Sequence, residues 1–299
     1  MRDSINNTDG ISRELRRKQN MKRRKISLFV LTLIILAAVA TLLFFLFGNN
    51  ENHSNAGQSN QNYSDIYYYE SNNSERYEQY SENNPKLSKE EVIWHVNSGL
   101  DGDFYKDIKE YKDKNDLNDV LIIVNKYNKL PSSFNPENLE DAGKGIQLRK
   151  EASEAYKKME GDASKENINF IPQSGYRSYD YQNTLYENYK KDDPKGADTY
   201  SARPGFSEHQ TGLALDINIP SGGSLRNFNG TKQAEWVSQN AHKYGFIIRY
   251  TEENKDITGY MSEPWHIRYI GVDHATKMFE RSISSYEEYR VKFIDHKPK

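Results

Sequence analysis

The sequence predicts an α+β fold: one domain with a central antiparallel sheet and flanking helices, preceded by one transmembrane helix and a flexible linker. Three observations predict it. Short stretches near residues 213–219 and 265–269 alternate apolar and polar residues with the period of two that marks a half-buried strand. Helical stretches fall mostly before or between these strands, without the regular strand–helix alternation of a doubly wound sheet. The region from residue 87 to 299 is long enough for one domain with its own core.

The N-terminus sets the expected compartment. Residues 1–25 carry nine Lys and Arg against three Asp and Glu. Residues 26–47 then run for 22 positions without a charge, dominated by Leu, Ile, Val, Ala and Phe. That length suffices to span a bilayer as a helix. The basic cluster before it keeps the N-terminus cytoplasmic and exports the rest of the chain. A cleavable signal peptide usually has an apolar core of only about 7–15 residues, so an uncleaved anchor is expected. The whole chain has a net charge of −2, so the part beyond residue 25 is acidic and unsuited to binding nucleic acid. With no Cys, there is no site for lipid attachment and no disulfide, so the core must supply the stability.

Residues 48–86 are rich in Asn, Ser, Tyr, Gln and Glu and poor in aliphatic side chains. That composition predicts a disordered extracellular tether. Ser88 and Glu91 form a capping box opening a short helix through Trp94. Residues 120–126 read as a strand, 146–160 as a helix, and 168–171 as a strand leading to a turn at Arg177. Ser178 is placed to cap a helix through about residue 189, with Tyr181, Leu185 and Tyr189 on one face. Residues 191–206 form a polar loop expected to border a cleft. Residues 231–244 read as a helix closed by Gly245. Residues 246–250 read as a strand whose hairpin partner leads to His266. A final helix over 273–281 and a short helical tail near Tyr286 complete the chain. No internal repeat is present.

Three motifs carry the chemistry: Ser174-Gly-Tyr-Arg-Ser178, Ser207-Glu-His-Gln-Thr-Gly-Leu-Ala-Leu-Asp216 and Glu263-Pro-Trp-His266. Two His and a carboxylate, with a further Glu and an Arg, are the inventory of a mononuclear zinc hydrolase. Such a site takes three His or Asp/Glu ligands, leaves a position for water, and uses a Glu as general base. In the 213–219 strand, Leu213, Leu215, Ile217 and Ile219 share the apolar face, and Asp216 sits on the other. Trp265, Ile267 and Tyr269 similarly oppose His266 and Arg268. In an extended chain Glu263 and His266 would point apart, so a turn at Pro264 is required to bring them together. His53, His95, His242, His274 and His296 lack comparable company and read as structural or solvated.

These motifs resemble those of VanY-type D,D-carboxypeptidases, zinc peptidases that trim peptidoglycan stem peptides, and of the related L,D-carboxypeptidases. The resemblance runs from about residue 87 to 289 and includes the stretch 121–131. It implies that His209, Asp216 and His266 bind Zn²⁺, that Glu263 is the catalytic base, and that Arg177 is an electrostatic clamp. It also implies that Ser207 and Gln182 hold the C-terminal residue of the substrate. Arg177 could serve either the substrate carboxylate or the oxyanion. The expected protein is a membrane-anchored zinc D-alanyl-D-alanine carboxypeptidase, not a serine-type enzyme. The alternatives are an L,D-carboxypeptidase acting on tetrapeptide stems, a peptidoglycan endopeptidase, or a wall-binding module that has lost catalysis.

Overall fold

The computed structural model of the chain describes residues 63–296. The expected cytoplasmic tail, the membrane span and the tether up to residue 62 lie outside those residues. Among the described residues, no helix is long and apolar enough to cross a membrane.

The centre of the fold is a four-stranded antiparallel sheet. Its strands are β1 (Ile171–Ser174), β2 (Ala214–Asn218), β3 (Phe246–Ile248) and β4 (His266–Tyr269), in the spatial order β1-β2-β4-β3. The α+β expectation holds. Leu213, Leu215, Ile217, Trp265 and Ile267 face the main core, as their alternation predicts. That core is completed by Tyr156 and Met159 of helix α3 (Lys150–Lys165) and by Trp236 and Val237 of helix α5 (Lys232–Asn240). Helix α5 continues as a 3₁₀ turn, Ala241–Tyr244, and stops at Gly245, whose φ of 87° provides the left-handed cap.

Several boundaries differ from the sequence-based expectation. Residues 147–149 form a strand paired with Leu139–Asp141, so the helix expected from 146 begins only at Lys150. The strand expected at 168–171 is displaced to Ile171–Ser174, because pairing with β2 sets its register. Helix α4 (Tyr179–Asp192) is capped by Ser178 as expected, but it buries Gln182 and Tyr186 and leaves Tyr181 and Tyr189 exposed. The final helix, α6, spans Val272–Glu280, and the tail helix α7 spans Tyr286–Arg290.

Residues 120–126 do not form the expected strand. Ile122, Ile123 and Val124 are buried, but the carbonyls of residues 120–123 are met by side chains in place of a neighbouring strand. Arg268 donates to the Val120 and Ile122 carbonyls, Tyr286 Oη to Leu121, and Tyr111 Oη to Ile123. Burial without a ladder is permitted where side chains meet the carbonyls in this way.

The tether reading of residues 48–86 is overturned from residue 63 onward. Helix α1 (Ser74–Asn83) packs on α2 (Lys89–Asn97), which opens at the predicted Ser88–Glu91 capping box. Tyr63, Tyr68 and Tyr77 are buried with Val92, Ile93 and Trp94 in a second core. Tyr77 Oη donates to Asn97 Oδ1 at 2.6 Å, and Asn97 Nδ2 donates to the Tyr68 carbonyl at 2.8 Å. Tyrosines supply the apolar area that the missing aliphatic residues do not, and the Tyr77 hydroxyl meets a polar partner.

Candidate metal centre and active-site cleft

Pairing in the sheet brings distant residues side by side. Asp216 on β2 lies opposite His266 on β4 and, across the other edge, opposite Ser174 on β1. Directly opposed residues have Cβ atoms about 4.5–5.5 Å apart. His209 reaches the same point from a 3₁₀ turn, Glu208–Thr211, closed by Gly212 at φ 69°. Arg177 follows the β1 strand through Gly175, where any Cβ would collide with the Gln147 carbonyl. The Arg177 N–H donates to the His209 carbonyl at 3.2 Å, which locks the two motifs together.

The ligand atoms of His209, Asp216 and His266 lie within 4.8 Å of one another, and all three residues are buried. His209 Nδ1 is 2.7 Å from the Gly175 carbonyl, which accepts its proton and leaves Nε2 as the free lone pair, 3.3 Å from Asp216 Oδ2. His266 Nδ1 is 3.0 Å from Asp216 Oδ1, and its Nε2 is 3.2 Å from Glu208 Oε2. The donor set therefore reads His209 Nε2, an Asp216 oxygen and His266 Nδ1, with each imidazole oriented through its other nitrogen. That outer bonding is characteristic of metal-binding histidines. Two His and one carboxylate fit Zn²⁺.

Without a metal the three groups titrate very differently. Burial would raise the Asp216 pKa, but His209, His266 and Arg177 hold it well below the carboxylate range. Burial and the Arg177 charge lower His209 to about 4. Burial would lower His266 as well, but its hydrogen bonds to Asp216 and Glu208 raise it to about 9.

Glu263 joins them through the turn that the sequence requires. Its N–H donates to the Tyr250 carbonyl at 2.9 Å, and its carbonyl accepts from His266 N at 3.0 Å. Its side chain lines the same cavity, of about 460 Å³, as Arg177, Gln182, Ser207 and the three candidate ligands. Burial pushes the Glu263 carboxyl up to about 7, partly opposed by the charge of His266.

Arg177 Nη2 donates to Asp216 Oδ2 at 2.7 Å, Nε to Ser174 Oγ at 2.8 Å, and Nη1 to Gln182 Oε1 at 3.4 Å. Gln182 also donates to the Ala202 carbonyl at 2.8 Å, tying helix α4 to the 191–206 loop. That loop borders the cleft as expected, with Tyr200, Ser201 and Ala202 in its wall. All seven site residues singled out in the sequence thus converge on one cavity. Of the remaining histidines, the described ones make other contacts. His95 meets Tyr80, His242 stacks on Phe279, His274 meets Tyr289, and His296 meets Glu70. His53 lies outside the described residues.

The charged support beneath the site was not legible in the sequence. Glu208, 1% exposed, accepts from Arg249 Nε at 3.0 Å and from Arg268 Nη1 at 3.0 Å, besides its contact with His266. Arg249 also pairs with buried Glu287 at 2.6 Å, and Asn125 donates to the same Glu287 carboxylate. Arg268 was readable as sharing the His266 face of its strand. Nothing in the spacing, however, turns Glu208 inward.

Similarity to known proteins agrees with this geometry. Residues 145–272 match the sequence model of the VanY family, described as D-alanyl-D-alanine carboxypeptidase. The chain is 39% identical over 206 residues to YodJ of Bacillus subtilis (strain 168), itself only provisionally named a carboxypeptidase. That match covers 64% of this chain and 75% of YodJ. Among solved structures, the LdcB LD-carboxypeptidase is 38% identical with a TM-score of 0.55, covering 62% of this chain and 92% of that one. A vancomycin-resistance D,D-pentapeptidase VanY mutant in complex with Zn(II) is 33% identical with a TM-score of 0.51, covering 57% and 98%. With its His-Asp-His donor set and the cleft around it, this chain belongs to the VanY-type family of zinc carboxypeptidases.

Proposed function

We propose that the protein is a D,D-carboxypeptidase that removes the C-terminal D-Ala from peptidoglycan stem peptides. The observation that carries this reading is the convergence of the His209–Asp216–His266 donor set, Glu263 and Arg177 on one cavity. The D-alanyl-D-alanine description of the matched family and the D,D-pentapeptidase among similar structures support the choice of substrate.

In this reading His209, Asp216 and His266 hold the zinc ion. Bound zinc supplies a Lewis acid and acidifies a water molecule. Glu263, whose carboxylate lines the same cavity as the zinc ligands, is placed to accept a proton from the attacking water. As the water oxygen bonds to the scissile carbonyl carbon and the C–N bond breaks, Glu263 returns that proton to the departing amine. Arg177 places positive charge beside the reacting centre, and its fork suits a carboxylate. Gln182 and Ser207, both buried in the cavity wall, position the terminal residue.

The likeness to LdcB favours one second reading, an L,D-carboxypeptidase acting on tetrapeptide stems. Incubation with synthetic pentapeptide and tetrapeptide stems, with the products weighed by mass spectrometry, separates the two. The D,D reading expects loss of one alanine from the pentapeptide, with the tetrapeptide left intact; the reverse pattern would establish the L,D reading.

The uncharged run at 26–47 and the basic cluster before it support a single-pass anchor, with the catalytic domain on the outer face of the cell membrane. Protease added to wall-stripped cells should then degrade the catalytic domain and spare the first 25 residues. Recovery of the intact domain from the medium would overturn this placement.

A further inference from the structure

The arginines around the catalytic cleft divide into two kinds. Arg177 is held by Asp216, Arg203 by Asp198, Arg249 by Glu208 and Glu287, and Arg268 by Glu208. Arg226 lines the same cavity, yet among the described residues no carboxylate lies within ion-pair distance of it. Its side-chain contact is the Met261 sulfur at 3.9 Å.

The backbone beneath this exposed side chain is fixed. Beyond β2 the chain turns through Gly222 and Gly223, at φ 67° and 91°, where a side chain would strain the turn. Asn218 Nδ2 donates to the Gly223 carbonyl at 3.1 Å. The Leu225–Phe228 turn is then anchored by Phe228, which is fully buried in the main core. Met261, which Arg226 touches, is tied by its N–H to the Thr199 carbonyl at 2.9 Å and precedes Glu263 by two residues. Arg226 thus holds a positive charge at the mouth of the cleft, beside the segment that carries the base.

A guanidinium at a cleft mouth concentrates anions and matches a carboxylate with two parallel donors. In the proposed function, on which this inference rests, Gln182 and Ser207 hold the terminal residue of the substrate. The part of the substrate left to meet Arg226 is the acyl portion. We propose that Arg226 is a specificity-determining residue that pairs with a second carboxylate of the substrate, carried by the peptide N-terminal to the scissile bond. Two positions could carry it: the residue immediately before the two terminal alanines, or the one before that.

Three synthetic peptides ending in D-Ala-D-Ala test this. In one, both preceding residues are carboxamides; each of the others restores a free carboxylate at one of them. The wild type should favour one carboxylate peptide over the dicarboxamide by about five- to twentyfold in kcat/KM. That range lies between an exposed ion pair and a charge-assisted hydrogen bond. The identity of the favoured peptide locates the carboxylate, and the preference should shrink as salt is raised. Arg226→Gln should abolish the preference, Arg226→Lys should keep part of it, and Arg226→Glu should invert it, each with a wild-type melting profile. Equal rates on all three peptides by the wild type, or a preference that survives in Arg226→Gln, would overturn the inference and leave the proposed function standing. Failure to cleave any of the peptides, or their forms shortened by one alanine, would overturn both.

Discussion

Removing the Glu208 carboxylate should damage the protein twice, in folding and in metal binding, and the two losses can be measured apart. Glu208 is buried between Arg249, Arg268 and His266, and the two arginines hold its carboxyl well below the carboxylate range against the opposing effect of burial. Arg249 would retain Glu287 after Glu208→Ala. Arg268 would retain only the carbonyls of Val120, Ile122 and Tyr269, leaving a fully buried guanidinium with no counter-ion among the described residues. Breaking a buried ion pair from one side costs about 3–5 kcal/mol. For a folded region of this size, each kcal/mol moves the melting temperature by about 2–4 °C, so the expected fall is about 6–20 °C. The second loss comes through His266 Nε2, which would no longer be oriented, so zinc affinity should drop about 10–100-fold. Thermal melts with and without chelator isolate the first loss, and competition against a chromogenic zinc chelator measures the second. Glu208→Gln preserves shape but not charge, and should show the same two losses in milder form. A Glu208→Ala protein that melts within about 2 °C of wild type in chelator, and competes equally for zinc, would refute the reasoning.

The geometry makes three further predictions. His266 holds a proton below about 9 in the metal-free protein, and zinc binding at Nδ1 must release it. Apparent zinc affinity should therefore rise about tenfold per pH unit up to that point and then level, as read by chelator competition across the range; a flat profile would count against His266 as a zinc ligand. Arg177→Ala should lower kcat/KM sharply on a free C-terminal carboxylate but little on the C-terminally amidated peptide if it clamps that carboxylate, whereas equal losses on both would assign it to the oxyanion. Tyr77→Ala, which empties a fully buried ring position between α1 and α2, should destabilise by about 3–5 kcal/mol in denaturant titrations, and an effect below about 1 kcal/mol would mean that α1 and α2 do not pack together as described.

The site was more readable from the sequence than the fold around it, for a physical reason. Strand alternation is a local signal, so the faces carrying Asp216 and His266 could be read directly, and the capping oxygens of Ser88 and Ser178 announce their helices within a single turn. The features that escaped a reading of the sequence depend on partners far away. Residues 120–126 carry strand-like composition, but Arg268, Tyr286 and Tyr111 satisfy their carbonyls in place of a neighbouring strand. Residues 63–86 look too polar to fold because their burial is done by tyrosine rings, and the Tyr77 hydroxyl finds its Asn97 partner only once α1 and α2 meet. Glu208 looked like one more polar residue beside His209, since its arginine partners are about 40 and 60 positions away.

The most direct test of the central claim compares zinc-loaded wild type with zinc-loaded Glu263→Gln on a peptide ending in D-Ala-D-Ala, with products weighed and metal content measured on the same samples. The account predicts that the wild type releases a single terminal alanine. It predicts that Glu263→Gln binds about one zinc per chain, melts normally and turns over at least about 10²–10⁴-fold more slowly, as expected for loss of a general base. A Glu263→Gln protein that keeps wild-type turnover, or a wild type that cuts at any other bond, would contradict it.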